Sequence, residues 1–170
     1  MRYSAAVSMR ARVRRRRPSD ILVGTDLVEV RSVAESMQTF GERYLARVFT
    51  AEERNYCAEV ARAGGNPVPH FAARFAAKEA VMKLLRPRAS DAITWQSIEV
   101  VRSARGHCAV RLHGPARELA RRAGLGRVAI SLSHEEHYAT AVAVAGLAGR
   151  AERNGVHVHE DTTRLGTQLR

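Results

Sequence analysis

The segment Phe71–Leu85 limits the possible folds of this chain more than any other. It is rich in alanine, contains no glycine or proline, and stops just short of Pro87. Alanine and unbranched side chains favour the helix most, and proline ends one by removing an N–H and clashing with the preceding turn. The segment is predicted as a single helix. Ala76, Ala80 and Leu84 share one side, with Phe75 and Met82 between two charged edges. A helix this apolar must be packed on most sides, which leaves its few charged groups at the wall of a cleft.

The flanking sequence is mixed. Ile21-Leu22-Val23 reads as a short buried strand ending at Gly24-Thr25-Asp26. Val30, Val33, Ala34 and Met37 then follow the i, i+3, i+4, i+7 spacing of an amphipathic helix. Thr50 with Glu53 forms a capping-box signature that opens a helix toward Ala61, and Gly64-Gly65-Asn66-Pro67 is a loop. Ser97–Ser103 and Cys108–His113 flank a hairpin loop at residues 104–107. Pro115 opens a helix that Gly124 closes. Two β-rich runs, Val128–Ser133 and Tyr138–Ala145, follow. The expectation is an α+β fold, one domain over residues 19–147, with an antiparallel sheet packed on helices. A chain of 170 residues is long enough to bury such a core.

The formal net charge of +11 suggests nucleic acid at first sight. Residues 1–18 hold seven arginines and no acid, so +7 sits in that arm and the body is only mildly basic. The arm has Arg10, Arg12 and the run Arg14–Arg17 but no periodic apolar face, and reads as disordered. Nucleic-acid binding through it is the alternative function. Residues 148–170 read as a polar tail, where His157 and His159 are weak evidence for metal. Cys57 and Cys108 form neither a disulfide framework nor a metal pattern and read as small core or edge residues. No apolar run nears the ~20 residues of a membrane span. No apolar segment follows the basic N-terminus as in a secretory signal, so a soluble cytoplasmic protein is expected.

Arginine outnumbers lysine 26 to 2, and both lysines, Lys78 and Lys83, fall in the alanine-rich helix. A compact ammonium binds phosphate as a point charge where a guanidinium demands a planar fork. Glu79 and Lys83 lie one turn apart on one edge, Arg74 and Lys78 on another. A surface ion pair would look the same. Asp26 follows a predicted strand and a glycine. Beside Glu79 it would complete a hard oxygen site for magnesium, which takes one or two carboxylates, waters and substrate phosphates. The 53-residue spacing does not show that they meet. In Ser131-Leu132-Ser133-His134-Glu135-Glu136-His137-Tyr138 the histidine spacing is three, which rules out the zinc-protease helix motif. His134 lies instead where an apolar strand ends, suited to meet an anion.

Taken in order, these segments resemble the holo-acyl-carrier-protein synthase type of 4′-phosphopantetheinyl transferase. The matching stretches are Val23–Val30, Arg47–Glu53, Arg74–Lys83, and Ser131–His134 with Tyr138-Ala139. The resemblance implies transfer of 4′-phosphopantetheine from coenzyme A to a serine of an acyl or peptidyl carrier protein. It implies Asp26 and Glu79 as magnesium ligands and Lys83 against the phosphate of the leaving group. Arg74 and His134 would hold the nucleotide end with its 3′-phosphate, and Lys78 is a further motif residue on the cofactor side. Glu79, directly or through a metal-bound water, would accept the serine proton. The family implies a homotrimer with sites shared between subunits, acting on small acidic carriers of fatty-acid, polyketide or peptide synthesis. The chain departs from the family pattern at Leu84–Asp91, at Gly106-His107-Cys108, and at Ser32 beside Arg31.

Overall fold

In the computed structural model, residues 21–103 and 106–147 are described. The expectations for the 1–18 arm and the 148–170 tail lie outside these residues. The order is β1 (Ile21–Glu29), α1 (Val30–Phe40), α2 (Glu42–Val48), α3 (Ala51–Arg62), α4 (Val68–Leu85), β2 (Ile98–Arg102), β3 (Cys108–Leu112), α5 (Gly114–Arg122), β4 (Leu125–His134) and β5 (Tyr138–Leu147). β1, β5 and β4 form an antiparallel three-stranded sheet in that order, and β2 pairs with β3 in a separate hairpin. The expected α+β fold is thus present, with α4 as the central helix.

The α4 helix is buried over most of its surface, from Phe71 to Leu85. The sheet receives it on a face of small residues. Ala139, Ala141, Ala143 and Ala145 alternate inward along β5, and all are buried. The closest approach is at Gly24 on β1, where an added Cβ would lie 1.9 Å from the Ala80 carbonyl oxygen of α4. Only glycine permits that contact.

β1 differs from its predicted form. Gly24-Thr25-Asp26 suggested a turn, yet the strand continues to Glu29 because each residue from Ile21 to Glu29 pairs with β5. Nor is the strand buried on both faces. Ile21, Val23 and Leu27 point away from α4 and are exposed. α2, only seven residues long, was not predicted at all.

The α3 capping box is present, with the Glu53 N–H donating to Thr50 Oγ1 (3.3 Å) and the Thr50 N–H donating to Glu53 Oε2 (2.8 Å). Glu53 does more than cap. Its Oε1 accepts the Val100 N–H of β2 at 2.8 Å, and its Oε2 lies 2.9 Å from Lys78 Nζ of α4. One buried carboxylate therefore ties α3, α4 and β2 together.

Candidate active site

Two residues beyond Gly24 on the same face of β1, Asp26 is carried against the edge of α4. Lys83 Nζ donates to Asp26 Oδ1 at 2.7 Å and to the Thr25 carbonyl at 3.1 Å. Thr140 Oγ1 on β5 donates to the Asp26 carbonyl at 2.9 Å, fixing the strand behind it. The Asp26 side chain is mostly buried, whereas that of Lys83 is half-exposed. Glu79, one turn before Lys83, is half-buried. Burial raises its carboxyl pKa, and the nearby Asp26 raises it further, against the pull of Lys83. The hydrogen bond to Asp26 raises the pKa of Lys83. Asp26, Glu79 and Lys83 are thus brought together.

This donor set fits magnesium when substrate phosphates supply further ligands. Two carboxylates crowd each other closely enough to raise the proton affinity of one of them, a conflict that a divalent cation relieves. Among the described residues, no group of three or more His, Cys, Asp and Glu could hold a metal without substrate.

Arg74 and His134 belong to a second cluster. Arg74 is 3% exposed, its guanidinium carbon lies 4.0 Å from the centre of the Tyr56 ring, and its Nη1 donates to the His70 carbonyl at 3.1 Å. Its Nε is buried without a partner. The His70 ring meets the His134 ring edge-on at 4.7 Å. Burial, followed by His134, Arg74 and Arg102, lowers the His70 pKa. Arg102 donates to the Tyr56 hydroxyl. A cavity of about 230 Å³ adjoins Arg74, Tyr56 and Arg102, and the carboxylates Glu52 and Glu59 also line it.

The two clusters do not meet within one chain. At about 100° per residue, the nine positions from Arg74 to Lys83 place them on opposite sides of α4. Tyr56, His70 and Arg102 were not singled out in the sequence. His70 lies four residues before Arg74 on a helix, a spacing that could have drawn attention to it. Tyr56 and Arg102 arrive from α3 and β2 and leave no local signal.

The expected cofactor contact of Lys78 is corrected. This side chain is fully buried, and its three N–H donors go to Glu53 Oε2, the Trp95 carbonyl at 3.0 Å and the Ile98 carbonyl. An ammonium has three donors, so none remains for a ligand. Burial lowers its pKa against the opposing pull of Glu53. Cys57 is also fully buried, and burial pushes its thiol pKa up to about 11, consistent with a small core residue.

A central helix carrying Glu79 and Lys83, laid on an antiparallel sheet that supplies Asp26, defines a class. The model of the 4′-phosphopantetheinyl transferase superfamily matches residues 22–143, and the chain belongs to that family. Within it, the chain is similar to proteins named holo-[acyl-carrier-protein] synthase. That of Koribacter versatilis is 43% identical over 118 residues, covering 69% of this chain and 91% of that protein. That of Chlamydia felis is 38% identical over 123 residues, 72% of this chain and 94% of the relative. Among solved structures, the Neisseria meningitidis holo-[acyl-carrier-protein] synthase is 28% identical with a TM-score of 0.64, covering 73% and 96% of the two chains. The Chronobacterium ammoniagenes ACPS–CoA complex is 29% identical with a TM-score of 0.65, covering 76% and 99%.

Proposed function

We propose that this chain transfers 4′-phosphopantetheine from coenzyme A to a serine of an apo carrier protein, leaving adenosine 3′,5′-bisphosphate. The convergence of Asp26, Glu79 and Lys83 carries this reading. The serine oxygen attacks the β-phosphorus, a new P–O bond forms, and the bond to the α-phosphate oxygen breaks. Glu79, directly or through a water, accepts the serine proton. Lys83 turns from Asp26 to the phosphate and offsets charge growing on the leaving oxygen. Magnesium held by Asp26 and Glu79 would neutralise the pyrophosphate that otherwise repels the nucleophile. Arg74 and His134 hold the nucleotide end of coenzyme A.

Two observations support a homotrimer with shared sites. The phosphate-facing and nucleotide-facing clusters lie on opposite sides of α4, so a site containing both draws on two copies. The outer face of the three-stranded sheet exposes Ile21, Val23, Leu27, Tyr138 and Val142, a contiguous apolar surface of the kind monomers seldom leave open. No helix among the described residues is long and apolar enough to cross a membrane, and the cytoplasm is the proposed compartment. The decisive experiment incubates purified protein with coenzyme A, magnesium and a panel of apo carriers. A gain of about 340 Da on a carrier, one phosphoryl-linked pantetheine, is expected. No gain on any carrier would refute the reading.

A further inference from the structure

Arg74 is a cation almost withdrawn from solvent, yet no carboxylate lies within ion-pair distance of it among the described residues. A buried charge without a counterion is costly. Among the described residues only its Nη1 has a hydrogen-bond partner, the His70 carbonyl, and its buried Nε has none. The groups gathered around it carry charge of the same sign. Arg102 of β2 also lacks a carboxylate within ion-pair distance among the described residues. Burial lowers the His70 pKa, and His134, Arg74 and Arg102 lower it further. Four basic groups crowded together in this way are relieved by an anion.

One side chain touches three of the four. The Tyr56 ring centre lies 4.0 Å from the Arg74 guanidinium carbon and 5.6 Å from that of Arg102. The same ring meets that of His70 edge-on at 5.8 Å, and the Tyr56 hydroxyl accepts from Arg102 Nη1. A carboxylate in place of Tyr56 would hold both arginines but cancel their charge. An aromatic face holds a guanidinium and leaves the charge for a ligand.

The cavity of about 230 Å³ beside these residues opens onto Arg74, Tyr56 and Arg102. Its two acids do not satisfy the arginines. Glu52 faces Arg111 at 3.5 Å, and neither Glu52 nor Glu59 is within ion-pair distance of Arg74 or Arg102.

We propose that Tyr56 is a positioning residue for the nucleotide end of coenzyme A, setting Arg74 and Arg102 around its 3′-phosphate. This deepens the transferase reading given above and rests on it. The ring fixes the Arg74 guanidinium so that its free donors meet the phosphate as a preformed fork. The hydroxyl brings Arg102 from β2 to the same anion. A nucleotide without the 3′-phosphate gains nothing from either contact.

The test is a calorimetric titration of the protein, without carrier, using adenosine 3′,5′-bisphosphate and adenosine 5′-monophosphate as probes. Wild-type protein should bind the bisphosphate more tightly. Tyr56→Leu should raise the Kd of the bisphosphate about tenfold, the scale of a lost cation–π contact in a desolvated site. Its Kd for the monophosphate should not move, which also shows that the variant is folded. Tyr56→Phe keeps the ring and should restore most of the lost affinity. In the transfer assay Tyr56→Leu should raise the coenzyme A KM by a similar factor with kcat held. Equal weakening toward both nucleotides would assign Tyr56 a merely structural role and overturn the proposal. Unchanged Kd values would overturn it too, as would a wild type that does not distinguish the two nucleotides. Failure of wild-type protein to modify any carrier would defeat the transferase reading without touching the titration, which decides the role of Tyr56 by itself.

Discussion

Lys83 Nζ lies 2.7 Å from Asp26 Oδ1, joining two residues 57 positions apart in the sequence. The pair exists because Gly24 lets β1 lie against the backbone of α4 at Ala80. It places a half-exposed ammonium beside a mostly buried carboxylate; in the proposed reaction phosphate would recruit the lysine and a metal would take the aspartate.

Asp26→Asn should therefore remove turnover by a factor of about 10² to 10³, as expected when charge stabilisation of a transition state is lost. Lys83→Arg should reduce kcat roughly 10- to 100-fold, because the planar fork does not reproduce a point charge at this spot. Single-turnover transfer assays measure both. Near-normal rates for Lys83→Arg would contradict the role given to the ammonium.

Lys78 should behave in the opposite way. It sits in no ligand site but fills a cage formed by Glu53 and two carbonyls. Lys78→Met strands Glu53 as an uncompensated buried charge, and the expected loss is about 3–5 kcal/mol of folding stability. Urea titration would show it as a lower midpoint. Unchanged stability would mean that the cage is not formed in solution.

The contrast between the two lysines marks how far the sequence could be read. The Glu79–Lys83 edge was legible because the helix repeat alone fixes it. Lys78 was not, since its acceptors come from α3 and from the backbone around Trp95 and Ile98, and no local pattern announces them. Asp26 was placed beside Glu79 only through the family resemblance, as nothing in a local window shows that Gly24 closes the gap. The turn-like Gly24-Thr25-Asp26 hid the continuation of β1, which pairing with β5 imposes. The outward Ile21 and Val23 were read as buried because apolar residues in a strand look alike whether they face α4 or point away from it.

Glu79 gives a stability signature that depends on pH. Its pKa in the folded protein is raised above its ordinary 4.5, first by burial and then by Asp26. The folded state thus binds this proton more tightly than the unfolded state. Above the raised pKa both states are ionised, and the folded protein carries the full penalty. Below 4.5 both states are protonated and the penalty disappears. Glu79→Gln should raise the Tm of the ligand-free protein at neutral pH, and the gain should shrink as pH falls through the raised pKa and be gone below 4.5. Magnesium with coenzyme A should raise the Tm of the wild type more than that of Glu79→Gln. A Tm difference between the two that does not vary with pH would contradict the assigned origin.

The opposite placement of Arg74 and Lys83 on α4 yields the sharpest test of assembly. If each site takes Asp26, Glu79 and Lys83 from one copy and Arg74 with His134 from the next, defects in the two clusters are complementary. Glu79→Ala and Arg74→Gln should each be nearly inactive alone. Co-expressed in equal amounts, they assemble at random, and about a quarter of the sites in a closed ring combine two intact clusters. The mixture should recover about that fraction of wild-type turnover, and light scattering should report three chains per particle. Replacing the outward Leu27 with Glu should dissociate the ring and abolish turnover, leaving monomers whose two clusters no longer share a site. Recovery would be absent if both clusters served a site within one chain, since every copy would then carry a defect of its own.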